Sequence, residues 1–212
     1  MRMRKIPWAV EYLEQAQCRI KVPEQYKGKW KQFLDTEVLH VEIGCGKGNY
    51  SLGMSKLYPQ EGFVAIEKND SAAGVAAKKY DTDTEKGKLC LIRGDAQALN
   101  EWFDKQEIDV IHLNFSDPWP KERHAKRRLT SCQFLERYDK ILAPEGTVEF
   151  KTDNRPLFEF SLEEVKEAGW FLDASTFDLH HDAKLMEGNV MTEYEEKFSR
   201  AGNPIHKMII HR

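Results

Sequence analysis

Five acidic residues lie at the predicted carboxyl ends of successive strands, where their carboxylates could bind one small molecule. Glu42, Glu67, Asp95, Asp117 and Asp153 each end or closely follow a predicted strand. In open α/β sheets, ligands bind at this edge. Five carboxylates there would repel one another unless a cation or hydrogen-bond donors lay among them. The pattern therefore favours a ligand with an ammonium and a sulfonium group and no phosphate, and S-adenosylmethionine fits that description.

Three glycines, Gly44, Gly46 and Gly48, lie between a predicted strand and a predicted helix. Such a turn lets a ligand approach the backbone at a helix N-terminus, although glycines alone are weak evidence for a site. Glu67 follows 19 residues after the last glycine, close to the place where nucleotide-binding sheets put a carboxylate for ribose hydroxyls. Asp95-Ala96 follows the next strand, where the carboxylate can accept a hydrogen bond from an adenine amino group.

The stretch 114–129 combines a carboxylate, an aromatic ring and a run of cations. Asp117 follows a predicted strand, Trp119 could stack on a base, and residues 121–128 contain five Lys/Arg, one His and one acid. Side chains of these types hold nucleobases and contact phosphates. One carboxylate can accept from both N1–H and the 2-amino group of guanine, whereas N1 of adenine is an acceptor. The pocket therefore favours guanine, although an amino group on cytosine would also fit.

Methylation of guanine at N7 would need few catalytic groups. The N7 atom already holds a lone pair, so the reaction needs no general base, only in-line placement against the sulfonium methyl group. The methylated base gains positive charge, which a carboxylate such as Asp117 would stabilise. The sequence has no evident Ser/His/Asp or Cys/His arrangement, and His124, His180 and His181 lack partners at metal-ligand spacing. We therefore expect no metal site.

The elements that would position these residues alternate between strands and helices. This alternation predicts one α/β domain over residues 1–212, with a mostly parallel seven-stranded sheet and helices on both faces. The last two strands, with no clear helix between them, predict an antiparallel hairpin at one edge. The predicted strands are 38–43, 63–66, 89–92, 108–115, 147–152, 170–179 and 205–210, and helices are predicted around 50–58, 70–80, 99–103, 130–142 and 156–168.

The composition limits the possible partners and compartments. The chain has 212 residues and a formal net charge of −3, so affinity for nucleic acid would have to come from local patches. Residues 1–31 carry eight Lys/Arg against three Glu, and this basic N-terminal arm either packs on the domain or contacts an anionic partner. Apolar runs fall far short of the roughly 20 residues of a membrane helix, and no secretory signal is visible. Four widely spaced cysteines indicate a reducing cytoplasm.

Five stretches carry distinctive motifs: EIGCGKG (42–48), NFSDPWPK (114–121), RHAKRRLT (123–130), FKTDN (150–154) and MTEYEEKF (191–198). Together they closely resemble the bacterial tRNA (guanine-N7-)-methyltransferases, and the resemblance extends from the basic N-terminus to the last strand. It implies a Rossmann-like class I methyltransferase fold, S-adenosylmethionine as the methyl donor, and methylation at N7 of the guanine at position 46 in the tRNA variable loop. It leaves open whether the chain is a monomer or a homodimer.

The resemblance also implies roles for the residues at matching positions, with Asp117 as the catalytic aspartate. The implied cofactor-binding acids are Glu42, Glu67, Asp95 and Asp117, beside which the loop positions of Gly44, Gly46, Gly48 and Ala96 indicate further cofactor contacts. The implied substrate contacts are Lys121, Asp153, Thr192, Glu193, Tyr194 and Glu195. The implied RNA-contacting residues are Arg123, His124, Ala125, Lys126, Arg127 and Arg128.

Three other functions are open on the sequence alone. An amino-methyltransferase that acts on adenine or cytosine usually carries [DNS]-P-P-[YFW], which Asp117-Pro-Trp-Pro resembles without matching. A nucleotide-sensing RNA-binding protein could share the basic segment and transfer no methyl group. An NAD-dependent oxidoreductase would need a small residue at the position of Asn49.

Overall fold

The computed structural model describes residues 5–212 and contains one eight-stranded sheet. The strands are β1 (Arg19–Ile20), β2 (Leu39–Ile43), β3 (Gly62–Glu67), β4 (Lys88–Arg93), β5 (Ile108–Asn114), β6 (Leu142–Thr152), β7 (Phe171–Thr176) and β8 (His206–His211). They lie in the order β1-β4-β3-β2-β5-β6-β8-β7. Neighbours pair in parallel except β8, which is antiparallel to both β6 and β7.

Helices from both ends and the middle of the chain pack against this sheet. Residues 5–212 form α1 (Pro7–Gln15), α2 (Trp30–Leu34), α3 (Asn49–Leu57), α4 (Asp70–Thr82), α5 (Leu99–Trp102), α6 (Cys132–Ile141), α7 (Arg155–Glu167), α8 (Ala183–Met186) and α9 (Glu193–Arg200). None of these helices is long and apolar enough to cross a membrane.

The predicted α/β class and the antiparallel pair formed by the last two strands at one edge are confirmed, with two corrections. The sheet has eight strands, because Arg19–Ile20 pairs with β4, and a two-residue strand is too short to show a periodicity. The antiparallel pair consists of β7 at the edge and β8, which lies between β6 and β7. The connection between these last strands, expected to be a loop, contains α8 and α9.

Alternate side chains of the central strands point to opposite faces of the sheet. On one face, Val41, Ile111, Val148 and Met208 belong to a large apolar core that includes residues of α6 and α7. On the other face the same strands carry buried polar side chains, and towards β3 and β4 this face becomes apolar again under α1, α3 and α4. The buried polar residues of the central strands on this second face are His40, Glu42, His112, Asn114, Lys151 and Lys207.

The buried histidines belong to a hydrogen-bonded chain across two strands and α3. Glu61 Oε2 lies 2.7 Å from His40 Nε2, His40 Nδ1 lies 3.0 Å from His112 Nε2, and His112 Nδ1 lies 3.0 Å from the Tyr50 hydroxyl. Burial lowers the pKa of His40 and lowers the pKa of His112 to about 3. Two neutral rings satisfy every bond of this chain. The Tyr50 hydroxyl donates to His112 Nδ1, His112 Nε2–H donates to His40 Nδ1, and His40 Nε2–H donates to the Glu61 carboxylate.

The described part of the basic N-terminal arm packs on the domain. Helix α1 crosses α4 so closely that a Cβ atom at Gly74 would lie 1.9 Å from the carbonyl oxygen of Ala9. Beyond α1, the carboxylate of Asp81 accepts from the backbone N–H groups of Gln17 and Cys18 at 2.9 and 2.8 Å. Residues 1–4, which include two of the arm's arginines, lie outside the described residues.

Candidate active site

A cavity of about 1100 Å³ opens at the carboxyl ends of β2, β3 and β5. The four loops that follow these three strands and the neighbouring strand β4 line one side of it, and the N-terminal turn of α9 lines another. Parallel strands bring their carboxyl ends to one edge, which is why loops distant in sequence meet here. The structure therefore brings together Glu42, Gly44, Gly46, Gly48, Glu67, Asp95, Ala96, Asp117, Lys126, Arg127, Thr192, Glu193 and Tyr194 on one lining.

The glycine turn follows β2 and leads into α3. Gly44, Gly46 and Gly48 have φ angles of 80°, 56° and 81°, a region that glycine adopts without the steric cost of a Cβ atom. A Cβ atom added at Gly44 or Gly46 would meet no atom within 4 Å, whereas one at Gly48 would lie 2.5 Å from the Tyr80 hydroxyl. The first two glycines leave open space beside the backbone, and the third allows close packing against α4.

Glu42 holds this turn against the neighbouring strand. Its side chain is buried, and Oε2 accepts hydrogen bonds from the backbone N–H and hydroxyl of Ser51, while Oε1 accepts from Asn114 Nδ2 at 3.0 Å. Burial raises the pKa of Glu42 despite these donors. Both oxygens are thus occupied by protein groups, so Glu42 chiefly orients the turn, although it also lines the cavity.

Two further predicted acids lie beside the turn. Glu67 accepts from the backbone N–H groups of Gly46 and Asn69 at 2.9 and 2.7 Å, and burial raises its pKa. Asp95 is only partly buried. Although burial alone would raise its pKa, hydrogen bonds from Lys68 and the backbone N–H of Gln97 lower it. Both carboxylates border the cavity, as the sequence predicts.

Asp117 lies in the loop after β5, with its side chain exposed at the cavity. The backbone on either side of it is unusual, because Phe115 and Trp119 have φ angles of 52° and 42°. Positive φ is a strained conformation for a bulky residue and persists only where surrounding contacts enforce it. The partly buried Trp119 also lines the cavity.

The predicted RNA-contacting segment forms a 3-10 helix over Glu122–Arg127. Lys126 and Arg127 are exposed and border the cavity, and the Arg127 guanidinium lies 5.0 Å from the centre of the Trp119 ring. His124 packs edge-on against the same ring. Lys121 and Arg123 are exposed beyond the cavity lining, and Ala125 is partly buried.

Arg128 differs from the other basic residues in this segment. Its Nε and Nη2 atoms donate to the carbonyl oxygens of Pro118 and Trp119 at 3.0 and 3.1 Å. The guanidinium also lies 4.2 Å from the centre of the Phe160 ring. The Arg128 guanidinium is therefore bonded to the protein itself and is less exposed than its basic neighbours Lys126 and Arg127.

The four predicted substrate residues around α9 have different surroundings. The Thr192 hydroxyl accepts from the backbone N–H of Glu195 and caps the helix. Glu193 forms ion pairs with Lys79 and Lys47 at 2.9 and 3.4 Å. Tyr194 is half exposed and borders the cavity. Glu195 is completely buried and lies outside the cavity lining, so it is not placed to touch a molecule in the cavity directly.

Asp153 is partly buried just after β6 and lies outside the cavity lining. Burial raises the pKa of the Tyr194 hydroxyl, and the charges of Asp153 and Asp117 raise it further. Both acids therefore lie within electrostatic reach of this tyrosine.

Sequence reasoning missed several residues that shape the site. Asn114 and Ser51 donate to Glu42, and Lys151 binds Glu195 at 2.7 Å. Asn114 and Lys151 lie inside the motifs NFSDPWPK and FKTDN, which marked them as candidates for the site. Their roles could not be predicted, because their partners are distant in sequence. The cavity also includes Gln133, Phe134 and Arg137 of α6, for which the sequence offered no sign.

One cluster of possible metal ligands occurs within residues 5–212, at the start of α6. It consists of Cys132, Glu164 and Glu167. A Glu164 carboxylate oxygen accepts from the backbone N–H of Cys132, and the thiol donates to the Glu164 carbonyl oxygen. Burial and this neighbouring acid raise the pKa of the thiol to about 12, which favours the thiol over the metal-binding thiolate.

Known proteins resemble this chain over its whole length. A family profile described as "Putative methyltransferase" matches residues 36–208. The tRNA (guanine-N(7)-)-methyltransferase of Lachnoclostridium phytofermentans is 48% identical over 213 aligned residues, which cover 100% of this chain and 99% of that protein. The protein of the same name from Bacillus subtilis is 44% identical and covers 98% of this chain, with 97% of its own length aligned.

Solved structures support the fold independently. An antibiotic-related methyltransferase and the 16S rRNA methyltransferase KamB each give a TM-score of 0.63 at 16% and 15% identity. Each covers 86% of this chain, and 92% and 91% of the respective neighbour is covered. At this identity the likeness concerns the fold alone, and it confirms the predicted Rossmann-like methyltransferase class. The family follows from the sequence identity to the curated relatives over the full length: the chain belongs to the tRNA (guanine-N(7)-)-methyltransferase family.

Proposed function

We propose that this enzyme transfers a methyl group from S-adenosylmethionine to N7 of the guanine at position 46 in the tRNA variable loop. One observation carries the proposal: the exposed carboxylate of Asp117 borders the same cavity as the glycine turn and the cations Lys126 and Arg127. The names of the relatives support guanine N7 as the target atom and tRNA as the substrate. The position in the variable loop rests on the resemblance of the motifs.

The residues around the glycine turn fit S-adenosylmethionine. Open space beside Gly44 and Gly46 allows a ligand to lie against the backbone. The nearby carboxylates of Glu67, Asp95 and Asp117 suit a ligand that carries hydroxyl, amino and cationic groups. When bound, this cofactor supplies the electrophilic methyl group. Glu67 and Asp95 would hold its ribose and adenine, while Glu42 keeps the turn in place through Ser51.

The guanine would lie against the side of the cavity that carries aromatic rings. Tyr194 and Trp119 both border the cavity and offer surfaces for stacking. Asp117 can accept hydrogen bonds from the guanine edge and stabilise the positive charge that develops on the methylated base. Because guanine N7 bears no proton, Asp117 orients the base and stabilises charge and does not act as a general base.

The tRNA backbone would lie along the cationic segment. Lys126 and Arg127 face the cavity, and Lys121 and Arg123 extend this positive surface outward. Phosphate contacts of this kind depend strongly on salt concentration. Asp153 is close enough to Tyr194 to affect its hydroxyl, which supports a role beside the substrate. Four free cysteines support a reducing cytoplasm as the site of action.

The decisive experiment is mass spectrometry of nucleosides from unmodified tRNA incubated with the protein and S-adenosylmethionine. We expect 7-methylguanosine from the wild-type protein and a strongly reduced yield from Asp117→Asn. Glu163→Gln, an exposed change on α7, is the control and should leave the yield unchanged. Formation of N6-methyladenosine or a methylated cytidine would establish the amino-methyltransferase alternative, and cofactor binding without any transfer would indicate a pure binding protein.

A further inference from the structure

An ion pair between Lys151 and Glu195 is buried in the centre of the polar face of the sheet. The side chains are 3% and 0% exposed, and Lys151 Nζ lies 2.7 Å from Glu195 Oε2. Burying two charges is costly, and their attraction offsets that cost only when further hydrogen bonds satisfy both groups. The surroundings of this pair meet that condition.

Both charged groups have a full set of partners. Lys151 Nζ donates to Glu195, to Asn189 Oδ1 at 2.9 Å and to the carbonyl oxygen of Val190 at 3.1 Å. Glu195 Oε1 accepts from Asn189 Nδ2 at 2.9 Å and lies 3.0 Å from His180 Nε2. Lys151 lies on β6, and all the other groups that bond to the side chain of Lys151 or Glu195 lie within residues 180–195. These bonds therefore join that segment to the sheet.

Residues 192–194, near the end of the segment 180–195, form one wall of the cavity. Thr192, Glu193 and Tyr194 border it, and the Tyr194 ring lies 5.3 Å from the Phe115 ring in the loop that leads to Asp117. Apolar anchoring of this segment is limited, because Leu185 is its only buried member in the adjacent core cluster and Met186 packs there partly buried. The ion pair thus supplies the main polar attachment of this wall to the sheet.

We propose that Lys151 is a positioning residue: through its buried bonds to Glu195, Asn189 and Val190 it holds the wall that carries Thr192 and Tyr194 opposite Asp117. Lys151 lies outside the cavity lining. The inference rests on the proposed function, since it assigns this wall to the guanine side of the cavity. It also replaces the expected role of Glu195, which becomes the internal partner of a lysine.

The chain offers a matched control in Lys207. Lys207 is also buried, is the register partner of Lys151 on β8, and forms its own ion pair with Glu149 at 3.0 Å. It makes no contact with residues 180–195 among the hydrogen bonds and ion pairs of the described chain. Replacing either lysine by methionine leaves one carboxylate without its cation, so both changes should lower stability, but only one should displace the wall.

We expect Lys151→Met to raise the KM for tRNA by at least about tenfold with an unchanged Kd for S-adenosylmethionine measured by calorimetry. Lys207→Met should leave both constants within about twofold of the wild type. Lys151→Arg retains the cation and should recover part of the lost tRNA affinity. If Lys151→Met lowers kcat through loss of folded protein while KM stays unchanged, or if Lys207→Met raises KM equally, the positioning role is refuted.

Limited trypsin digestion tests the same claim without reference to activity. Cleavage after Lys184 and Lys197 should accelerate in Lys151→Met and stay at the wild-type rate in Lys207→Met. Should Lys151→Met fail to fold, Glu195→Gln keeps the shape of the partner and should show the same accelerated cleavage to a smaller degree. Equal cleavage rates in all variants would overturn the proposal, whereas absence of tRNA methylation by wild type would overturn only the proposed function.

Discussion

Arg128 donates a hydrogen bond from Nη2 to the carbonyl oxygen of Trp119 at 3.1 Å, and so binds the end of the basic segment to the loop that carries Asp117. Trp119 has a positive φ angle, which few bulky residues adopt without enforcing contacts. The neighbouring Arg127 makes no such bond and instead lies over the Trp119 ring. Two adjacent arginines in one motif are therefore expected to have different functions.

Replacing Arg128 should affect catalysis more than tRNA binding. In Arg128→Ala, the carbonyl oxygens of Pro118 and Trp119 lose their donor, and the strained loop can relax away from the geometry that places Asp117. We expect kcat to fall by about tenfold or more, since small misplacements of reacting groups are costly. Single-turnover kinetics with saturating tRNA would measure this. A normal single-turnover rate in the variant would show that the loop keeps its conformation unaided.

Replacing Arg127 should weaken tRNA binding instead. Arg127 is exposed beside the cavity, so Arg127→Ala should reduce affinity for tRNA and lower the slope of log K against log salt by about one unit. Affinity for S-adenosylmethionine should not change. Filter binding over a salt series would measure the slope, and Lys140→Ala, on the exposed side of α6, serves as control. Identical slopes for Arg127→Ala and wild type would remove Arg127 from the RNA contact.

The sequence was sufficient to predict the edge of the sheet at which the cavity opens. Apolar runs located the central strands, and the acids at their ends identified Glu67, Asp95 and Asp117 as neighbours, because parallel strands must bring these ends together. The glycine turn was predictable for the same reason. These inferences depend on the apolar pattern of each strand and on the order of strands and helices, and both can be recognised from residues that are neighbours in sequence.

The sequence could not predict which charged residues turn inward. Glu195 is separated from Lys151 by 44 positions, and nothing in either motif shows that the two side chains meet in the interior. Arg128 looked equivalent to Arg127 because both belong to one basic run. The alternation of His40, Glu42 and His112 with apolar residues is typical of a solvent-facing side, but α3 covers this side and buries the polar groups.

The glycine turn allows a second comparison within one motif. Gly48→Ala would place a Cβ atom 2.5 Å from the buried Tyr80 hydroxyl, so we expect a loss of about 2 kcal/mol or more in the free energy of unfolding. Gly46→Ala meets no atom within 4 Å and should lose only about 1 kcal/mol from backbone strain. Its main effect should be weaker binding of S-adenosylmethionine.

Urea denaturation and calorimetry on the two glycine variants would separate these effects. Gly48→Ala should have the lower denaturation midpoint, and Gly46→Ala should show the larger loss of cofactor affinity relative to its loss of stability. The reverse order of stabilities would mean that α4 moves to accept the methyl group at position 48 and that the close approach to Tyr80 is not a constraint on the fold.

The buried histidines predict how stability depends on pH. Burial lowers the pKa of His112 to about 3, whereas the pKa of a histidine in an unfolded chain is about 6.5. As pH falls through this interval, the unfolded chain takes up a proton that the folded protein does not, so the free energy of unfolding decreases by up to about 1.4 kcal/mol per pH unit. His40, whose pKa burial also lowers, acts in the same direction.

Between pH 6.5 and 5, carboxylates with lowered pKa values, such as Glu149 and Glu195, do not yet destabilise the protein. The raised pKa values of Glu42 and Glu67 act in the opposite direction to the histidines, so the histidine effect is measured as a difference between wild type and a variant that keeps both acids. His112→Gln retains an amide that can donate toward His40 and accept from Tyr50, but it cannot take up the proton. We expect the slope of unfolding free energy against pH to be clearly flatter in this variant than in wild type.

Urea denaturation at pH 6.5, 6.0, 5.5 and 5.0 would measure the slope, with a change at an exposed histidine, His181→Gln, as the control. If His112→Gln kept the full wild-type slope, the chain from Glu61 to Tyr50 would have to contain a protonated ring in the folded protein, and the neutral arrangement derived from its hydrogen bonds would be wrong.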